Sequence, residues 1–226
     1  MVESVPVIAI DGPGGAGKGA VSQIVAARLG WHLLDSGSLY RITAFAARAR
    51  GLDFADSAAL AEVARTLDVR FVSGADGVAV ILENNDVTTS IRTEKAGADA
   101  SVVAADPGVR AALTGRQTAF AELPGLVADG RDMGSVVFPG AGLKIFLTAS
   151  TEERARRRYK QLKDKGMDVS LPALSKDMEE RDRRDSERAV APLRACEDAR
   201  VLDSTNLDLQ EVVDLVVSWA NEVYDV

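Results

Sequence analysis

Cysteine and histidine are nearly missing from this chain, which has one of each, Cys196 and His32, in 226 residues. A single cysteine excludes an internal disulfide and fits a reducing compartment. One Cys and one His also exclude a structural zinc site, which draws several such ligands. No apolar run is long enough to span a membrane, and Glu3 stands where a signal peptide would carry basic charge. A cytoplasmic protein is therefore expected. Excess positive charge is lacking as well, because 27 Lys and Arg face 34 Asp and Glu for a formal net charge of -7. That balance argues against nonspecific nucleic-acid binding.

What is present is an ordinary globular composition, 46% hydrophobic and 27% charged, long enough for one core with insertions or two small domains. Its most informative run is Val7 to Ala20. Val7 to Ile10 has the length and branching of a buried strand. A turn follows, Gly12-Pro13-Gly14-Gly15-Ala16-Gly17, and Lys18 opens a helical pattern with Val21, Ile24, Val25 and Leu29 on one face and Gly30 as its stop. A glycine-rich turn that merely joins strand to helix is the plainer alternative. Strand, G-x-x-x-x-G-K spacing and helix together point instead to a phosphate cradle. Backbone N–H groups and the helix N-terminus face the anion, and Lys18 reaches the terminal phosphates of a nucleoside triphosphate. Gly19 replaces the Ser or Thr that usually follows the lysine and holds magnesium, and Ala20 lacks a hydroxyl too.

Strand-like and helical segments alternate, which predicts an α/β fold with a parallel sheet. Core strands are expected at Val7–Ile10, His32–Leu34, Leu126–Ala128, Lys144–Leu147 and Val201–Leu202, and helices at 18–29, 39–49, 151–164 and 208–224, the last behind an Asp208–Glu211 cap. Three short strands, Asp68–Ser73, Val78–Glu83 and Val87–Arg92, are separated by Gly74-Ala75-Asp76-Gly77 and Asn84-Asn85. Those separators are hairpin signals and predict a small antiparallel insertion. A second insertion, 151–192, holds most of the nine arginines between Arg154 and Arg194, and inserted segments beside a phosphate site are natural lids. A solvated helix face is the plainer reading of such a charge run.

Two runs sit at the carboxyl ends of strands, where open α/β sheets bind ligands. Asp35-Ser36-Gly37-Ser38-Leu39-Tyr40-Arg41 offers Ser36 and Arg41 for a phosphate and Tyr40 for a base pocket, or simply a helix cap. Asp129-Gly130-Arg131-Asp132 places Asp129 like the second acidic residue of a phosphate-loop enzyme, near magnesium, or is an ordinary Asp-Gly turn. Arg181, Asp185 and Arg188 stand at i, i+4 and i+7, on one face if the helix continues; solvent-facing ion pairs would explain this equally well.

Taken together, these residues resemble the bacterial cytidylate kinases, from the phosphate loop through Trp31-His32-Leu33-Leu34-Asp35-Ser36-Gly37 to Asp203-Ser204-Thr205. The most specific matches are Asp129-Gly130-Arg131-Asp132-Met133-Gly134, Arg181-Asp182-x-x-Asp185 and Arg188-Ala189-x-Ala191-Pro192-Leu193. The resemblance implies a nucleoside monophosphate kinase with a three-layer, five-stranded parallel sheet, a three-stranded antiparallel insertion and a helical lid. The core would comprise 1–35, 104–150 and 193–226, the monophosphate-binding domain 36–103, and the lid 151–192. It implies that Gly12 to Ala20 bind ATP, that Ser36, Arg41 and Arg131 hold the CMP phosphate, and that Ser101, Arg110, Asp132 and Arg188 surround cytosine. Arg181 and Asp185 would contact ribose, Tyr40 and Asp129 would line the acceptor site, and Arg154 or Arg158 would reach the transferring phosphate beside Lys18. Magnesium would come with ATP, held by phosphates and water. A monomer acting on ATP and CMP or dCMP, without nucleic acid or membrane, is implied. Ala20 and Ser135 depart from the usual threonines, and only Ala20 touches the chemistry.

The acceptor oxygen of a phosphate monoester is already anionic near neutral pH, since its second pKa is about 6, so no general base is needed. His32 is then expected as a packed core residue, and Cys196 as a small buried hydrophobe. The rival readings are a kinase for UMP or AMP, a binding-only relative suggested by Ala20, and a GTPase-type switch. The last is opposed by Gly19 and by the lack of an Asn-Lys-x-Asp run.

Overall fold

The chain opens with β1 (Val7–Asp11), α1 (Lys18–Leu29) and β2 (His32–Asp35). Helices α2 (Ser36–Ala49) and α3 (Ser57–Arg65) lead to β3 (Val69–Gly74), β4 (Gly77–Leu82) and the two-residue β5 (Asn85–Asp86). Next come α4 (Glu94–Val103), α5 (Pro107–Thr118), β6 (Leu126–Gly130) and β7 (Leu143–Thr148). Helices α6 (Thr151–Asp164) and α7 (Leu171–Glu187), strand β8 (Arg200–Asp203) and α8 (Leu209–Tyr224) complete it. This computed structural model describes residues 5–74 and 77–226; Glu3 and the hairpin residues Ala75 and Asp76 lie outside the described residues. Among the described residues, no helix is long and apolar enough to cross a membrane.

The chain divides into two compact units, one of described residues up to Asp35 with Thr118–Val226, the other Ser36–Gln117. The first is built on a five-stranded sheet in the order β2-β6-β1-β7-β8, with every neighbouring pair parallel. All five expected core strands are present. β1, between two partners, is buried at all five residues, as its unbroken apolar run requires. The edge strands are covered only in part: Leu34 and Leu202 are buried while His32 and Val201 are exposed. His32 is thus exposed and not the core histidine expected, because it opens β2, an edge strand with a neighbour on one side only. Its ring lies 3.0 Å from the Leu123 carbonyl. Cys196 is likewise only half-buried, in the irregular segment before β8.

Helix ends follow their sequence signals. Gly30 ends α1 in the left-handed conformation, and Asp208 with Glu211 forms the expected reciprocal cap on α8. The apolar faces of α1 and α8 meet Ile8, Ile10, Leu143 and Ile145 in one core.

In the second unit, α2 packs on α3 and α4. Helix α5 belongs to this compact unit too, which runs to Gln117. The reason lies in its anchors: Arg116 donates to the Leu67 carbonyl at 2.8 Å, and Gly108 lies against Ala61 of α3. Segment 151–192 stays with the first unit, tied to it through Arg154.

The antiparallel insertion exists, with β4 pairing both β3 and β5. Its third strand is a correction. The second turn is Glu83-Asn84, both at positive φ, one residue earlier than expected, and pairing ends after Asn85–Asp86. Val87 to Arg92 is not a strand: Ser90–Arg92 forms a 3-10 turn. Val87 and Ile91 are both buried, and an i, i+4 pair satisfies strand and helical spacing alike, which is why the pattern misled.

The Tyr224 hydroxyl donates to the Val7 carbonyl at 2.5 Å and accepts from the Leu143 amide at 3.0 Å, tying α8 to β1 and β7. Its ring meets Trp31 edge-on at 5.4 Å. Tyr224→Phe keeps the ring and strips both backbone groups of a partner, so it should cost about 1–3 kcal/mol. Urea unfolding should show an earlier midpoint at unchanged slope; an unchanged midpoint would refute the tie.

Candidate active site

The loop after β1 has the geometry of an anion cradle. Gly12 has φ +149°, and a side chain there would begin 1.9 Å from the Leu147 carbonyl oxygen of β7, so only glycine fits. Gly17 caps α1 in the left-handed conformation, and the first turn of α1 holds no acid, which suits an anion at this helix N-terminus. Lys18 is buried and its ammonium folds back to the Pro13 carbonyl at 2.9 Å.

Around this loop the first unit gathers charge. An Arg131 guanidinium nitrogen lies 3.5 Å, and an Arg181 one 3.6 Å, from where a side chain on Gly14 would begin. Asp185 joins the two arginines: its Oδ2 accepts from Arg131 Nε at 3.1 Å and is 4.0 Å from Arg181 Nε. Asp132, buried at the turn after β6, faces Arg188 at 3.7 Å. Arg188 lies beyond α7, which stops at Glu187, so the shared helix face ends at Asp185. The backbone turns extended at Arg188 and takes positive φ at Ala191 ahead of Pro192, and its Nε donates to the Ala191 carbonyl.

Burial drives the Lys18 ammonium well below the ordinary lysine value, and Arg131 and Arg181 push the same way, against Asp129 and Asp11. Asp129 lies beside the loop, its Oδ2 3.5 Å from where a side chain on Gly19 would begin. Burial raises its carboxyl, Lys18 opposes that rise, and Asp35 adds to it. Among the described residues, no group of three His, Cys, Asp or Glu side chains could hold a metal ion. A cavity of about 830 Å³ opens beside the loop, lined by Ala16, Gly17 and Ala20, by Arg156 and Arg157 of α6, and by residues 204–208.

Of the two α6 arginines Arg154 and Arg158, Arg154 is buried and engaged throughout. It donates to the carbonyls of Ala149 and Gly14 (both 3.0 Å) and to Thr151 Oγ1 (2.8 Å), and pairs with Asp182 at 2.6 Å. Arg158 is half-buried and donates to Gln161. In the second unit, Ser36 and Ser101 are buried, Arg41 donates to the Ile91 carbonyl at 3.1 Å, and Arg110 stacks over Tyr40 at 5.9 Å while donating to the Ala104 carbonyl at 3.2 Å.

Sequence reasoning passed over Asp11 and Arg157. Arg157 donates to Ser204 at both its hydroxyl (3.1 Å) and its carbonyl (2.6 Å), on the rim of the cavity. Asp11, the last residue of β1, is buried and accepts from the Met133 and Gly134 amides, each at 2.8 Å. An acid closing a buried apolar strand was the available signal.

Burial outweighs those two bonds and pushes the Asp11 carboxyl up to about 6 from 3.8. Ionisation is therefore harder in the folded state. The resulting stability is fully present below the ordinary value and lost as pH rises through about 6. Two pH units correspond to roughly 3 kcal/mol. Between pH 4 and pH 7.5 the protein should lose stability relative to Asp11→Asn by up to that amount; parallel pH profiles in denaturant unfolding would refute this.

A model of the family Cytidylate kinase matches residues 8–222. Cytidylate kinase of Stutzerimonas stutzeri is 59% identical over 220 residues, covering 96% of each chain. That of Pseudomonas aeruginosa is 60% identical over 219 residues, again covering 96% of each chain. That of Aeromonas salmonicida is 54% identical over 222 residues, 98% of this chain and 96% of the relative. Among solved structures, an uncharacterized protein from Eubacterium ventriosum has a TM-score of 0.50 at 12% identity, covering 96% of this chain and 98% of its own, a likeness of fold alone. Match and identity run almost end to end, so the chain belongs to the cytidylate kinase family.

Proposed function

We propose that this chain transfers the γ-phosphoryl group of ATP to CMP or dCMP, giving ADP and CDP or dCDP. The observation that carries the phosphoryl-transfer part is the convergence of Lys18, Arg131 and Arg181 on one glycine loop, where the arginines oppose the charge on Lys18. A multiply charged anion relieves that opposition. The names of the relatives supply the acceptor.

In this reading an acceptor phosphate oxygen attacks the γ-phosphorus and the bond to the bridging oxygen of ADP breaks. Catalysis is then alignment and charge neutralisation. Lys18, Arg131 and Arg158 balance the charge on the transferring group. Arg154, with its nitrogens engaged within the protein, holds the loop through Gly14 instead. Ser36 and Arg41 join Arg131 at the CMP phosphate, Arg181 and Asp185 bind ribose, and Tyr40, Ser101, Arg110, Asp132 and Arg188 serve the base. The loop from Gly12 to Ala20 binds the triphosphate, with the 830 Å³ cavity beside it for the rest of ATP. Segment 36–103 serves as the monophosphate-binding domain and 151–192 as the lid. Magnesium, when bound, neutralises phosphate charge. The residues fit an ion carried by the nucleotide, because Gly19 and Ala20 offer it no oxygen and Asp129 beside Gly19 would hold its water shell. The same reading carries a monomeric cytoplasmic enzyme.

Cytosine offers an amine donor where uracil has a carbonyl, and a carboxylate such as Asp132 accepts only from the first. A coupled assay with CMP, dCMP, UMP and AMP should show turnover of the cytidine nucleotides far above the others. In Asp132→Asn the preference for CMP over UMP should shrink about ten- to a hundredfold, the worth of one charged hydrogen bond. Equal proportional losses on both acceptors would remove Asp132 from base reading.

Ala20 lines the cavity at the first turn of α1. A hydroxyl there could donate to an ATP phosphate in ground and transition states alike, which is uniform binding. Ala20→Thr should thus lower the ATP KM at similar kcat, by at most about tenfold if water already substitutes. An inactive natural protein rescued by Ala20→Thr would make this chain a binding-only relative.

A further inference from the structure

One face of α7 lies against the phosphate loop. Met178, Arg181, Asp182 and Asp185 share it, at i, i+3, i+4 and i+7 of the helix. The Met178 methyl is 3.1 Å from where a side chain on Gly15 would begin, and an Arg181 nitrogen is 3.6 Å from the same point on Gly14. Arg154 of α6 reaches Gly15 too, its Cβ 3.2 Å from that point. Arg154 is fixed without help from α7. Its guanidinium donates to the Ala149 and Gly14 carbonyls and to Thr151 Oγ1, three uncharged acceptors in the first unit. Asp182 adds a fourth, charged contact, with its Oδ2 2.6 Å from Arg154 Nη2. The other carboxylate oxygen, Oδ1, is buried and accepts no hydrogen bond among the described residues. A buried oxygen without a bond is costly, so fold stability gives little reason for an acid here.

We propose that Asp182 is a positioning residue: it ties α7 to the Arg154 bracket and so seats Arg181 at Gly14 for phosphoryl transfer. The direction of the hold follows from the contacts. Without Asp182, Arg154 keeps three acceptors, whereas α7 loses its polar link to the group that grips Gly14. Asp182 directly follows Arg181, so a shift of α7 that opens the first contact carries Arg181 away from the loop. The Arg131–Asp185 pair still holds the next turn, so the helix shifts locally and does not detach. Transfer is sensitive to displacements of this size, because its catalysis is alignment. The transfer rests on the cytidylate kinase reading; the seat of α7 does not.

The test is Asp182→Ala. In the nucleotide-free protein, hydrogen exchange at residues 178–185 should accelerate about tenfold or more while α8 and β1 stay as in wild type. Arg181 also acts on Lys18, so the loss belongs to turnover and not to the KM of one substrate. With ATP and CMP both saturating, kcat should fall about tenfold or more, measured well below the unfolding midpoint of the variant. A contact that served stability alone would leave kcat of the folded protein unchanged. Asp182→Asn keeps an acceptor for Arg154 and should stay within about threefold of wild type in both readouts. In an Arg154→Met background, where the tie is already cut, Asp182→Ala should change kcat less than about threefold. Unchanged exchange, unchanged kcat, an Asn variant as impaired as the Ala variant, or additive losses would overturn the proposal. If Asp182→Ala does not fold, Asp182→Ser, too short to reach Arg154, should show the same losses, and their absence would count equally against it. Wild-type protein inactive on CMP would overturn the functional reading alone, with exchange still deciding the seat.

Discussion

Like charges held together at a glycine loop are the constraint on which this protein depends. Lys18, Arg131 and Arg181 meet there in a setting of little solvent, where repulsion is screened far less than at a surface. Nothing in folding favours that meeting. Each cation has a partner that opposes the repulsion: Lys18 the Pro13 carbonyl, and Arg131 and Arg181 the Asp185 carboxylate. A chain of net charge -7 can still attract phosphates if its positive charge is focused in this way.

The carboxylates do the opposite work. Asp11 and Asp129 lie at the carboxyl ends of adjacent strands, β1 and β6, as the last and next-to-last residue respectively, and burial makes each harder to ionise. At Lys18 they oppose the effect of the Arg131 and Arg181 guanidinium groups. Strand order makes this possible. With β1 between β6 and β7, the phosphate loop, the Arg131 turn and the Leu147 carbonyl that forbids a side chain at Gly12 all stand at one end of one sheet.

Much of this was legible because the signals were local. Unbroken apolar runs marked the inner strands, Gly30 and Asp208 marked helix ends, and the glycine-lysine spacing marked the cradle. What stayed hidden depended on partners distant in sequence. Edge position exposed His32, a fact no residue near it records. Anchors on α3 and Leu67 drew α5 into the second unit. The short third strand failed because Val87 and Ile91 fit two periods equally, and the turn at Glu83-Asn84 settled the matter. Asp11 carried one local signal, an acid closing an apolar strand, but its partners are backbone amides, which carry no sequence mark.

The arginines of the 151–192 segment show why charge counts alone say little about a site. Arg156 pairs with Glu153 on an exposed helix face, a contact of small energetic weight. Arg154, two residues earlier, is buried and spends its donors on Gly14, Ala149, Thr151 and Asp182. Breaking a buried charge from such partners is costly, so Arg154 joins α6 to the phosphate loop and to α7 as one piece. The two side chains are alike in chemistry and two residues apart in sequence, and they differ in which face of α6 they occupy. Periodicity thus separates a structural clamp from a solvated charge. Partner geometry then decides which of the remaining arginines face the loop.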